Sequence, residues 1–137
     1  MTEKRIFDLL HQMDTFTNQM MIRWNKIFDE DLGVSHILTL SFIQHNAPSR
    51  PSDVSKALGL TPPTVTHLVN KLVKKELVER EANENDRRII YLVITAKGQD
   101  VLEKAIECGQ VLRKEIFLKL TEDERQQLLT LYKKLNQ

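Results

Sequence analysis

The sequence predicts a mainly α-helical fold carrying one small β-hairpin. Apolar residues recur every three or four positions through most of the 137 residues, the spacing that lines one side of a helix. Between Leu77 and Ile94 that spacing gives way to short runs rich in β-branched side chains, which suit strands. A short helical stretch ending in Gly59-Leu60 is followed at once by Thr61-Pro62-Pro63, a strong helix start.

From the N-terminus, Ile6, Leu9, Leu10, Met13, Phe16, Met20, Trp24, Ile27 and Phe28 form one stripe, predicting a long amphipathic helix that Gly33 ends. A second helix spans about Ser35 to His45. Its apolar residues Ile37, Leu38, Leu40, Phe42 and Ile43 surround most of the axis, which predicts burial, and Asn46-Ala47-Pro48 stops it. A short helix from Ser52, read as its N-cap, to Leu58 comes next. In the helix over about 62–75, Val65, Leu68, Val69, Leu72 and Val73 share a stripe, and the opposite face shows Thr64, Thr66, His67, Asn70, Lys71 and Lys74. Strands over 77–81 and 89–94 flank a polar tip, Ala82 to Arg88. Thr95 then caps a long helix bearing Val101, Leu102, Ala105, Ile106, Val111, Leu112, Ile116 and Phe117; Gly109 inside it suggests close helix contact. Thr121-Glu122-Asp123-Glu124 is a capping box opening the last helix.

With 41% hydrophobic and 28% charged residues, the chain has enough apolar side chains for a core, and its formal charge of +1 excludes a polycation. The charge is unevenly spread. Residues 1–33 carry net −2 and residues 34–47 no charge, whereas 48–75 carry net +4; 76–97 carry −1 and 98–137 balance. Any nucleic-acid site must therefore be local, and the basic excess sits in one short stretch. A single cysteine, Cys108, cannot form an internal disulfide, so a reducing compartment is expected. The start Met-Thr-Glu-Lys-Arg is not a secretory signal, and the apolar run Ile37–Ile43 is far below the roughly 20 residues that cross a bilayer. The expectation is a cytoplasmic protein with no membrane partner.

Catalysis is not expected. His11, His36, His45 and His67 are scattered, Cys108 has no base nearby in sequence, and no phosphate loop, metal-ligand spacing or nucleophile elbow appears. No metal or other cofactor is predicted. Among packed apolar neighbours, Cys108 reads as a structural thiol.

Helix, turn, helix and hairpin in that order make a winged helix-turn-helix lobe, in which a short helix braces a second one whose exposed face enters a groove. Lysines on a helix face are by default merely solvated. Here they accompany a capped turn, a polar face and a wing, which makes Lys71, Lys74 and Lys75 candidate phosphate contacts. Thr61, Thr64, Thr66, His67 and Asn70 are short enough to reach base edges, with the Asn70 amide suited to adenine and the threonine methyls to thymine. At the wing tip, Asp86-Arg87-Arg88 offers two guanidinium groups to a narrow minor groove, with Asp86 holding Arg88 extended. The rival reading is a winged helix used for protein contact without operator binding, which would call for an apolar exposed face on the 62–75 helix.

The stretch Asp53 to Leu72, the link Lys75-Glu76-Leu77-Val78-Glu79-Arg80, and Asp86-Arg87-Arg88 running through Leu92 and Ile94 to Thr95 and Lys97-Gly98 resemble the MarR (multiple antibiotic resistance regulator) winged-helix transcriptional regulators. The resemblance covers essentially the whole chain. It implies a single domain over 1–137, with the winged lobe at 34–97 and dimerisation helices at 1–33 and 98–137. It also implies a homodimeric repressor on a pseudo-palindromic operator in double-stranded DNA, relieved by a small-molecule effector or by oxidation. Thr61, Thr64, Thr66, His67, Asn70 and Lys71 fall on the family's recognition-helix face, and Arg88, oriented by Asp86, on its minor-groove arginine. Members that sense oxidants carry a cysteine in the first helix; this chain has none there. A homodimer also suits the terminal stripes, which offer more apolar surface than one small lobe can cover.

Overall fold

The computed structural model describes residues 2–137. Six helices and a two-stranded hairpin follow in the order α1 (Thr2–Ile27), α2 (Val34–His45), α3 (Pro51–Leu58), α4 (Pro62–Lys74), β1 (Val78–Ala82), β2 (Ile90–Ile94), α5 (Ala96–Phe117) and α6 (Glu122–Leu135). This is a winged helix, mainly α with one antiparallel hairpin. Two compact units divide it: Phe28–Ile106, and α1 together with Glu107–Gln137.

In the first unit the expected stripes turn inward. Leu40 and Ile43 of α2, Val54 of α3, Val65, Leu68, Val69 and Leu72 of α4, and Leu77, Val78 and Leu92 of the hairpin form a closed core. Burying each of the larger ones contributes about 1.5–3 kcal/mol relative to leaving it in water. The hairpin pairs Val78 with Ile94 through to Ala82 with Ile90, one residue beyond the expected first strand. A bridge the sequence did not signal adds a third edge, where the Leu92 amide donates to the Ser49 carbonyl at 2.7 Å. Ser49 thereby ties the segment between α2 and α3 to the wing.

Two expected helix ends are corrected. Gly33 does not end α1, which stops at Ile27; it is the N-cap of α2, its amide donating to Nδ1 of His36 at 3.1 Å. The intervening turn passes through Asp31 in the left-handed region, φ 52°. Ser52 is not the N-cap of α3. With Pro51 in the first turn, the cap falls on Arg50, whose amide donates to the Asp53 carboxylate at 2.9 Å.

The hairpin root is locked to α5. Thr95 caps that helix as expected, its hydroxyl oxygen accepting from the Gly98 amide at 3.0 Å while donating to the Glu76 carbonyl at 2.7 Å. The Thr95 amide donates to the Leu77 carbonyl at 3.0 Å. Gly98 permits this approach, since a Cβ there would lie 2.2 Å from the Leu77 carbonyl oxygen. Gly109 has no such neighbour; a Cβ would meet only the Arg113 side chain, at 3.6 and 4.0 Å.

In the second unit Arg23 of α1 pairs with Glu115 of α5 at 3.1 Å, and Thr121 and Glu124 form the expected capping box of α6. Neither α1 nor α6 buries a single described residue. Ile6, Phe7, Leu9 and Met13 on α1, and Leu131 and Leu135 on α6, stand more than half exposed.

Candidate nucleic-acid interface

Helix α4 splits by periodicity into a buried stripe and a polar outer face. Thr61, Thr64, Thr66, His67, Asn70 and Lys74 are exposed, while Val65, Leu68, Val69 and Leu72 anchor the other side. The turn before it needs Gly59, at φ 64°, to reverse the chain, after which the Thr61 hydroxyl oxygen accepts from the Thr64 amide at 3.4 Å. The Thr61 and Thr64 hydroxyls lie 2.7 Å apart, and the Thr66 hydroxyl donates to the Pro62 carbonyl at 3.0 Å. Local bonds thus occupy these hydroxyls, leaving Thr66 to present its methyl and its oxygen lone pairs outward.

The two lysines differ. Lys74 is exposed, whereas Lys71 is one-third exposed and its ammonium lies 3.4 Å from the Asp31 carboxylate. Because that carboxylate is itself 85% exposed, the pair is solvent-screened and breaks at little cost when a phosphate competes. Asn70 also has a partner: its side-chain oxygen accepts from Arg80 of β1.

At the wing tip the chain is built by two side chains. The Asn83 oxygen accepts from the Asn85 and Asp86 amides at 2.8 and 3.1 Å, and its amide group donates to the Tyr91 hydroxyl at 3.1 Å. Asp86 accepts from the Arg88 amide, from Nε and from Nη2, at 3.0, 3.1 and 3.1 Å. The Arg88 side chain is 91% exposed and held by this two-pronged grip. The same Arg88 bonds, side chain first, keep the Asp86 carboxyl below the ordinary aspartate range. Arg87 is exposed beside it.

Arg80 is the residue sequence reasoning missed. In the hairpin register it stands opposite Leu92, and Val78, two residues before it, shares its face; Leu92 and Val78 are both buried. A charged side chain on the inward face of a strand must run to the edge of the core, and the alternation Val78, Glu79, Arg80 was the available signal. Among the described residues no group of three or more His, Cys, Asp or Glu side chains is placed to hold a metal ion, and no helix is long and apolar enough to cross a membrane.

Several proteins similar to this chain are transcriptional regulators. The MarR family model matches residues 30–89, from the turn before α2 to the end of the wing tip. An HTH-type transcriptional regulator of Bacillus subtilis, YwhA, is 31% identical over 98 residues, covering 72% of this chain and 70% of that one. The chain belongs to the MarR family. The transcriptional repressor MprA of Escherichia coli is 29% identical over 107 residues, covering 75% of this chain and 61% of its own length. A mutant of E. coli MarR, crystallised with operator DNA, superposes with a TM-score of 0.73 and 27% identity over 96% of this chain and 95% of that one. That superposition takes in nearly the whole of both chains.

Proposed function

We propose that this chain is a sequence-specific DNA-binding transcriptional repressor, acting in the cytoplasm as a homodimer on a pseudo-palindromic operator and relieved by a small ligand. The observation that carries the DNA reading is the pairing, within one unit, of a polar exposed α4 face with an exposed arginine clamped at the wing tip. Thr61, Thr64, Thr66, His67 and Asn70 face base edges in the major groove, Lys71 and Lys74 meet phosphates, and Arg88, steered by Asp86 and flanked by Arg87, enters the minor groove. The exposed face of α4 carries no apolar patch, which disfavours a protein-contact role.

Dimerisation is supported by α1 and α6, on which Ile6, Phe7, Leu9, Met13, Leu131 and Leu135 stand more than half exposed. A two-fold pair of such chains doubles the local positive charge and sets two reading helices on one side of a duplex. Repression is supported by the repressor MprA among its relatives. Relief by a ligand is part of this reading because the MarR resemblance implies it. Selection from random double-stranded DNA tests the reading: an enriched inverted repeat is expected, and a chain that enriches no sequence contradicts it.

A further inference from the structure

The bond between Arg80 and Asn70 bears on what the recognition helix reads. The Arg80 Nη2 atom lies 2.5 Å from the Asn70 side-chain oxygen, ten residues back along the chain, and both residues are exposed. A guanidinium carries donors only, so the amide atom turned toward it is the oxygen and the NH2 group is turned away. The hairpin enforces this. Because Arg80 shares a strand face with buried Val78 and stands opposite buried Leu92, its side chain leaves the sheet on the core side, where it meets α4.

Resting on the operator-reading function above, we propose that Arg80 is a specificity-determining positioning residue: by engaging the Asn70 oxygen, it turns the NH2 group outward and makes Asn70 chiefly a hydrogen-bond donor toward the base edge. An asparagine selects adenine by a two-bond pairing in which its oxygen accepts from N6 and its NH2 donates to N7. With one of the oxygen's two lone pairs taken by Arg80 and a positive charge beside it, the oxygen is a poorer acceptor for N6, and the adenine preference expected from the sequence is weakened. The outward NH2 suits any major-groove acceptor: N7 of adenine, N7 or O6 of guanine, O4 of thymine. Cytosine, which presents an N4 donor there, is the base it rejects.

The test compares wild type, Arg80→Met and Asn70→Asp by selection on random double-stranded DNA, followed by binding titrations on four versions of the enriched site. These versions differ at the base pair whose preference disappears in Asn70→Ala. Wild type is expected to bind the adenine, guanine and thymine versions within about threefold of one another and the cytosine version more weakly. Arg80→Met frees the oxygen, and a preference for adenine of roughly tenfold should emerge, within the span of a two-bond pairing. Asn70→Asp keeps the Arg80 partner but turns an acceptor outward, so the preference should invert toward cytosine. Both positions are exposed, so melting temperatures should not move, and Asn70→Asp gives an independent reading if Arg80→Met fails to fold.

An adenine preference already present in wild type overturns the proposal. So does an Arg80→Met profile identical to wild type, or a uniform loss on all four versions, which would make Arg80 a phosphate contact. A wild-type chain that enriches nothing overturns the operator reading itself, and this inference with it.

Discussion

Replacing Gly98 with alanine should loosen the joint between wing and α5. The new Cβ would sit 2.2 Å from the Leu77 carbonyl oxygen, 2.8 Å from Ile94 Cγ1 and 3.0 Å from the Leu77 carbonyl carbon. Two of these three atoms are backbone, so no rotamer change relieves the clash, and the first turn of α5 must move away from the hairpin root. Forcing a methyl into a filled site costs about 1–3 kcal/mol. The movement also stretches the Thr95 amide bond to Leu77 and the Thr95 hydroxyl bond to Glu76, at about 1 kcal/mol each. Alanine's better helix propensity returns at most about 1 kcal/mol. The net loss is about 2–4 kcal/mol, which for a chain of this size lowers the melting temperature by roughly 6–16 °C. Thermal unfolding followed by circular dichroism reads it directly. A Gly98→Ala chain melting within about 2 °C of wild type would refute the close approach.

Three further outcomes are expected. Arg88→Ala should weaken operator binding by about 1–3 kcal/mol in a titration while the melting temperature holds, because the guanidinium is almost wholly in water; unchanged affinity removes the wing from DNA reading. Glu76 sits in the left-handed region at φ 64°, so Glu76→Gly should raise stability by up to about 1 kcal/mol in denaturant unfolding, and a loss would contradict strain there. His36 is held below the ordinary histidine range, first by burial and then by the Lys71 charge, with His67 and Lys75 adding to this and Asp31 opposing it. The unfolded chain therefore binds the proton more readily, and stability should be full above the ordinary value of about 6.5 and fall as the pH drops through it toward the lower folded value. Protonation of Nδ1 also breaks its bond from the Gly33 amide, so His36→Asn should flatten the acid limb of the stability curve; an equally steep limb contradicts this cause.

Local chemistry made much of the site legible. Thr61-Pro62 fixes the start of α4 from two residues of sequence, and the stripe Val65, Leu68, Val69, Leu72 fixes which face is left exposed. Asp86 and Arg88, two residues apart, signalled their own ion pair. Ends and long-range partners were harder. Gly33, whose spacing predicts a helix stop, opens the next helix instead, because a glycine serves either role and the turn's conformation rests on Asp31. Pro51 should have outweighed Ser52 as the mark of the α3 start, since proline belongs in the first turn. The Asp31 partner of Lys71 lies forty positions away, and the Arg80 partner of Asn70 depends on the register of a hairpin, so neither follows from spacing on one helix.

In the proposed function, two copies of α4 read one duplex together. Footprinting the fragment enriched by selection measures this most directly. Two protected half-sites with two-fold symmetry are expected, centred roughly 34 Å, or one helical turn, apart. Protection of a single isolated half-site, or none at all, would contradict it.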